Sequence, residues 1–340
     1  MRRKKFLSIT LIALGCFCVA GASAPAQVSV SGAGSTFSSR IYSKWFEAYG
    51  GVDPSVRFTY EANGSGKGQK LIIDQAVDFG ATDSPMSDEA LGRAPRKILH
   101  IPTVAGAVVI SYNLRGAPAL KFDGQALADI FLGKIVQWCD PQIARLNPGA
   151  TLPDSDIVVV HRVESSGTSF IFTDYLSAVS REWEIAVGRG KAVNWPVGLG
   201  AIGNDGVSAK VRETPGSIGY FELSHAGRNQ LPFAEIKNRD GYFIKASPDS
   251  VTAAMATATI PEDFRFSIVN APGAGSYPIA GATWLLVYEK PQDLSKGRKL
   301  VEFLKWAETE GEKMAADLSF APLPESLRNR VLKVLDTLGP

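Results

Sequence analysis

Cysteine is scarce in this 340-residue chain: there are three, and two of them, Cys16 and Cys18, sit in a stretch built like a cleaved leader. Cys139 is then the sole cysteine left, so no intramolecular disulfide can form and stability must come from packing. Histidine is equally rare. His100, His161 and His225 stand far apart, with no spacing that suits a metal ion, so neither a metal site nor a cofactor is expected. No serine occupies a G-x-S-x-G elbow, and His161, although close to a serine cluster, precedes Arg162 on a strand whose successive side chains point to opposite faces. Gly64-Ser65-Gly66-Lys67 resembles a nucleotide-binding loop only superficially. The glycine needed five positions before the Gly66-Lys67 pair is Glu61, and the hydroxyl needed after the lysine is Gly68. No catalytic residue is expected. Internal repeats, low-complexity tracts and heptads are absent, as is any membrane-length apolar run after the leader.

The leader itself runs from Met1 to Ala26. It has a basic start (Arg2, Arg3, Lys4, Lys5), an apolar middle from Phe6 to Ala20, and small residues at Ala22, Ala24 and Ala26. That pattern predicts an export signal over residues 1–26, cut after Ala26, and a periplasmic protein. A lipid anchor at Cys16 is not expected, because Ala13 stands where a larger aliphatic residue is usual. Removing the four basic leader residues leaves 32 basic against 34 acidic residues, a net charge of −2. A nearly neutral mature chain offers no electrostatic case for nucleic acid.

What the chain does have is a recurring turn. Val28 to Val30 reads as a strand, followed by Gly32-Ala33-Gly34-Ser35-Thr36-Phe37 and a helix marked by Phe37, Ile41, Trp45, Phe46 and Tyr49. Val56 to Tyr60 ends in Asn63 to Gly68 before the helical stretch Leu71 to Gln75. Val77 to Ala81 delivers Thr82-Asp83-Ser84, with Ser87 placed to cap the next helix. Ile157 to Val160 leads through Arg162 to Ser169 (R-V-E-S-S-G-T-S) into a helix with Ile171, Tyr175, Leu176 and Val179 on one face. Each is a strand, a small polar turn and a helix start. Helix starts present unpaired N–H groups and the positive end of the dipole, and here they carry hydroxyls and one arginine, a combination suited to a small oxyanion.

Further strands are expected at Ile98–Ile101, Ala107–Tyr112, Ile218–Phe221 and Tyr277–Tyr288, and helices at Leu127–Leu132 and from Leu300 to near Gly311. Gly198 to Gly206 reads as a long glycine-rich loop. Alternating strands and helices predict an α/β fold with mainly parallel sheets flanked by helices. Because Thr36, Ser65, Asp83 and the Arg162 segment are spread over about 130 residues, a single site drawn from them implies a cleft between two lobes.

Four motifs, Gly32-Ala33-Gly34-Ser35-Thr36-Phe37, Val77 to Asp83, Arg162 with Ser166-Gly167-Thr168-Ser169-Phe170, and Gly203-Asn204-Asp205-Gly206, resemble in order those of the periplasmic phosphate-binding protein of the phosphate-specific ABC transporter. The resemblance implies the two-lobed fold of type II periplasmic binding proteins with one anion in the cleft. It further implies that Thr36 and Phe37 offer backbone N–H groups, Thr36 its hydroxyl as well, that Ser65 contributes both backbone and hydroxyl donors, and that Asp83 accepts the phosphate proton. Arg162, Ser166, Gly167 and Thr168 would close from the second lobe. At two positions the chain departs from the family: Glu164 stands where Asp usually orients the arginine, and Ser165 where Gly is usual.

The lobes are expected to be 27–103 plus 273–340 and 104–272. The implied activity is non-enzymatic: a monomeric receptor for inorganic phosphate, with ABC permease subunits as its partners. The alternatives are an exported phosphate-ester hydrolase, which would need a nucleophile with a base or a metal pair, and a phosphate scavenger without a transporter.

Overall fold

The computed structural model describes residues 27–116 and 119–338. The leader expected over 1–26, its cleavage point and Cys16 lie outside those residues. In chain order come β1 (Val28–Gly34), α1 (Ser39–Val52), β2 (Val56–Ala62), α2 (Ser65–Ile73), β3 (Phe79–Thr82) and α3 (Asp88–Gly92). The long β4 (Ile98–Tyr112) leads into β5 (Lys121–Phe122), α4 (Gly124–Phe131), α5 (Pro141–Leu146), β6 (Val158–Arg162), α6 (Gly167–Val179) and α7 (Arg181–Ala186). Next are β7 (Leu199–Ala201), α8 (Gly203–Glu213), β8 (Ser217–Glu222), α9 (Leu223–Asn229), β9 (Glu235–Lys237), β10 (Phe243–Ile244) and α10 (Pro248–Ala256). The chain then returns through β11 (Ala280–Tyr288) to α11 (Leu294–Thr309), β12 (Ala321–Pro322) and α12 (Glu325–Thr337).

The strands run in the order β2-β1-β3-β11-β4-β8-β6-β7, with β12 also on β4 and a small separate sheet β10-β9-β5. Within each lobe the strands that carry the polar turns are parallel, β1 to β2 and β3 on one side and β6 to β7 and β8 on the other. The crossing strands are antiparallel. β4 pairs with β11 from Ile98 to Ala107 and then with β8 from Val108 to Tyr112, so one strand serves both lobes.

Two expectations need correction here. Ile98–Ile101 and Ala107–Tyr112 are one strand of 15 residues. Pro102 does not break it, because it stands opposite Trp284 where the register with β11 shifts, and an irregular register is where a sheet tolerates proline. The stretch from Gly198 to Gly206 is not a loop throughout but contains the edge strand β7 and the first turns of α8. Its glycines are what permit this, since a Cβ at Gly200 would fall 2.1 Å from the Val163 side chain.

Two aromatic layers lie beneath the polar turns. Under β1–β3, Phe58 packs on Phe303 and Phe46 at 4.6 and 5.0 Å between ring centres. Under β6 and β8, Tyr220 packs on Phe172 at 4.6 Å and on Trp195 at 5.5 Å. The fully buried phenylalanines, Phe303 and Phe172, each contribute about 1.5 to 3 kcal/mol by burial, and the half-buried Phe46, Phe58 and Trp195 less. Tyr220 also ties this packing to the turn after β6: its hydroxyl meets Ser169 Oγ at 2.6 Å and accepts from the Arg162 N–H at 3.2 Å. Among the described residues no helix is long and apolar enough to cross a membrane.

Candidate functional site

Backbone-to-backbone packing brings the first lobe's turns together. A Cβ at Gly34 would lie 2.0 Å from the Ala81 carbonyl oxygen, and one at Gly68 would lie 2.7 Å from the carbonyl oxygens of both Ala33 and Ala81. Without side chains there, β1, β3 and α2 approach closely enough for Ser35, Ser65 and Asp83 to touch. Asp83 is buried and accepts from three hydroxyls. Ser35 Oγ lies 2.6 and 2.7 Å from its two oxygens, Thr283 Oγ1 2.8 Å from Oδ1, and Ser65 Oγ 3.1 Å from Oδ2. Burial pushes the Asp83 carboxyl up to about 6, against the pull of Ser35, Thr283, Ser65 and the Arg162 charge.

In the second lobe, Ser166 caps α6 by accepting from the Ser169 N–H at 3.1 Å, an interaction that stabilises a helix by about 1 kcal/mol. Accepting there leaves its own O–H available to donate. Arg162 is buried beneath the helix start and donates from Nη1 to Thr168 Oγ1 at 3.2 Å. Glu164 holds the guanidinium sideways: Oε1 accepts from Nε at 2.8 Å and from Nη2, and also from the Gly203 N–H at 2.9 Å. The extra methylene therefore leaves the ion pair intact but directs every donor to one oxygen, while Oε2 is buried without a partner among the described residues. Burial pushes the Glu164 carboxyl up, but the Arg162 hydrogen bonds and charge outweigh it and hold it below its ordinary value.

The two lobes meet at this place. The Gly66 N–H donates to the Ser165 carbonyl at 2.9 Å, so α2 and α6 face each other start to start. Gly167 abuts both Ser65 and Asp83, and Asn204 Nδ2 reaches Thr36 Oγ1 at 2.9 Å. Thr36, Phe37, Ser65, Asp83, Arg162, Glu164, Ser166, Gly167 and Thr168 thus form one cluster at the lobe interface. Phe37 is placed differently from the expectation in one respect. Its ring is buried edge-on against Phe320, and its N–H is already donated to Ser35 Oγ at 3.0 Å.

A family model described as a PBP superfamily domain matches residues 20–310. The phosphate-binding protein PstS of Pasteurella multocida is 41% identical over 307 residues, covering 89% of this chain and 88% of the relative. The chain belongs to the PstS family of the PBP superfamily. A PstS protein of Methanocaldococcus jannaschii is 39% identical over 317 residues, covering 85% and 80%. Among solved structures, a phosphate-binding protein of Stenotrophomonas maltophilia has a TM-score of 0.69 at 23% identity, covering 90% of this chain and 93% of that one. An ABC-type phosphate transport receptor from Vibrio cholerae has a TM-score of 0.57 at 17% identity, covering 87% and 100%. Similarity at these identities speaks for the shared two-lobed fold.

Three members of this PstS-family cluster are not singled out by the sequence: Ser35, Asn204 and Thr283. Ser35 and Asn204 lie inside the motifs that carry the resemblance, and the signal available is a small polar residue at a strand end. Thr283 sits within an apolar strand and gives no such signal. The histidines have other places. His100 Nε2 accepts from the Met86 N–H at 3.0 Å, and burial pushes its pKa down to about 4. His161 stacks on Trp195. Among the described residues no group of three or more His, Cys, Asp or Glu side chains could hold a metal ion.

Proposed function

We propose that this chain is an extracytoplasmic receptor that takes inorganic phosphate into the cleft between its lobes and delivers it to an inner-membrane ABC permease. The observation that carries this reading is Asp83, a buried carboxylate set against the facing starts of α2 and α6, with Arg162 buried at the start of α6 and donating to Thr168 there. A site of donors alone would suit any oxyanion. One fixed acceptor among donors suits an oxyanion that still carries a proton, as phosphate does near neutral pH. On this reading Thr36, Ser166, Gly167, Thr168 and Arg162 donate to the anion, Asp83 accepts its proton, Ser65 offers its N–H and shares its hydroxyl with Asp83, and Phe37 shares its N–H with Ser35. The names of the PstS relatives, all phosphate-binding proteins, point the same way. The chain is a binding protein rather than an enzyme. Its periplasmic location, monomeric state and indifference to nucleic acid are part of the same proposal.

The deciding experiment is to identify the anion that survives purification, by phosphorus NMR and mass. Phosphate would support the reading, whereas turnover of a phosphomonoester with added divalent metal would favour a hydrolase. We also propose the lobe division 27–103 plus 273–340 against 104–272, supported by the change of β4's partner a few residues past Thr103. Saturating phosphate should then make the protein more compact in small-angle scattering, and identical curves with and without phosphate would count against a hinge.

Arg162 is the basic residue of the cluster. A charge-assisted hydrogen bond contributes about 1.5 to 3 kcal/mol, so Arg162→Ala should weaken phosphate binding by roughly one to two decades. Calorimetry that finds the affinity untouched would remove Arg162 from the site.

A further inference from the structure

The cross-lobe contact of Asn204 belongs to no expectation drawn from the sequence. Asn204 is fully buried at the start of α8. Its Oδ1 accepts from the Glu222 backbone N–H at 3.1 Å. A backbone N–H can pair only with the oxygen of an amide, so this contact fixes which end of Asn204 faces the cleft. That end is Nδ2, which lies 2.9 Å from Thr36 Oγ1 in the first lobe and 3.1 Å from Thr168 Oγ1 in the second.

We infer that Asn204 is a positioning residue that sets the polarity of the two threonine hydroxyls and latches the lobes together over the anion. The inference rests on the phosphate-receptor reading. A hydroxyl has one proton and two lone pairs. Once Thr36 Oγ1 accepts from Asn204, its proton is free for an acceptor in the cleft. Thr168 Oγ1 is constrained further, since it accepts from Asn204 Nδ2 and from Arg162 Nη1 at 3.2 Å. Among the described residues, the acceptor left for its proton is Asn204 Oδ1 at 3.3 Å, which already serves the Glu222 N–H. An anion oxygen is a better acceptor than that shared, longer contact. Both hydroxyls, one from each lobe, therefore become donors toward the ligand, and the Asn204–Thr36 bond exists only while the lobes are together.

A latch formed after the anion has entered slows departure and leaves arrival alone. Stopped-flow binding of inorganic phosphate to the full mature protein should show Asn204→Ala raising the off-rate about tenfold with the on-rate unchanged within a factor of about two. Thr36→Val should also raise the off-rate. The double variant should lose less than the product of the two single losses, because the Asn204–Thr36 bond that they share is broken once. If Asn204→Ala fails to fold, Asn204→Ser, which keeps a small polar group near the Glu222 N–H, takes its place in the cycle. Unchanged off-rates, or losses that simply multiply in the double variant, would overturn the role of Asn204 while leaving the receptor reading in place. Failure of the unmodified protein to bind phosphate would overturn both.

Discussion

Sulfate is expected to bind at least about four orders of magnitude more weakly than phosphate at about pH 8, and the gap should narrow as the pH falls through about 6. The two anions share shape and size, so the donors of the cluster cannot separate them. Asp83 can. At the higher pH its carboxylate is ionised and faces into the site, where phosphate offers a proton and sulfate offers only charge. The size of the gap is that of sites built to hydrogen-bond a ligand hydroxyl, which reject analogues lacking it by about 10⁴ to 10⁵. Asp83 keeps its three hydroxyl partners with either anion, so the penalty on sulfate here is repulsion between two charges with no proton between them. Burial raises the Asp83 pKa, so protonation begins well above the ordinary carboxylate range. Below about 6 the neutral acid becomes a donor, and sulfate gains the partner it lacked. Competition titrations across this range measure the effect directly. Asp83→Asn, which keeps an acceptor oxygen and adds a donor, should improve sulfate binding at neutral pH and flatten the pH dependence. Sulfate displacing phosphate at comparable concentrations at about pH 8 would refute the role of Asp83 and the phosphate-receptor reading together.

Asp83 also shows what is and is not legible in the sequence. Its position is readable, because an apolar parallel strand ending in a lone carboxylate places that group where α/β sheets hold ligands. Its environment is not. Thr283, which donates to Oδ1, arrives on a strand 200 residues later, and a threonine within an apolar strand looks like any β-branched residue. Asn204 stands within a recognisable motif yet reads as part of a loop, because four glycines in nine residues suggest flexibility. Here those glycines instead admit a strand beside Val163 and the start of α8. β4 reads as two strands for a related reason: Pro102 is a breaker locally, and only the register shift opposite it, set by a distant part of the chain, makes it acceptable. Local chemistry is legible at helix starts, where capping and turn residues are close in sequence. Tertiary tolerance of glycine and proline is not.

Gly167 is where a single carbon atom should have its largest consequence. It is the first residue of α6, and the φ that a helix start requires suits alanine, which is also the better helix former. The fold should therefore be as stable in Gly167→Ala as in the parent. The cleft should not close. A Cβ at this position would lie 2.4 Å from Asp83 Oδ2, 2.7 Å from Asp83 Cβ and 2.3 Å from Ser65 Oγ, all of them atoms of the opposite lobe. The Ser65 hydroxyl could rotate away, but Asp83 is pinned by Ser35 and Thr283 and has nowhere to go. To relieve the overlap the lobes must separate by roughly 1 Å, because ordinary carbon contacts begin near about 3.5 Å. Hydrogen bonds weaken steeply over such a displacement. Losing two charge-assisted bonds at about 1.5 to 3 kcal/mol each corresponds to a loss of roughly two to four decades in affinity. The compaction on adding phosphate should disappear at the same time. Thermal melting would establish that the variant is folded, and calorimetry with scattering would read the two effects. A folded Gly167→Ala protein that bound phosphate within about threefold of the parent would mean that α6 and Asp83 do not come together around the anion.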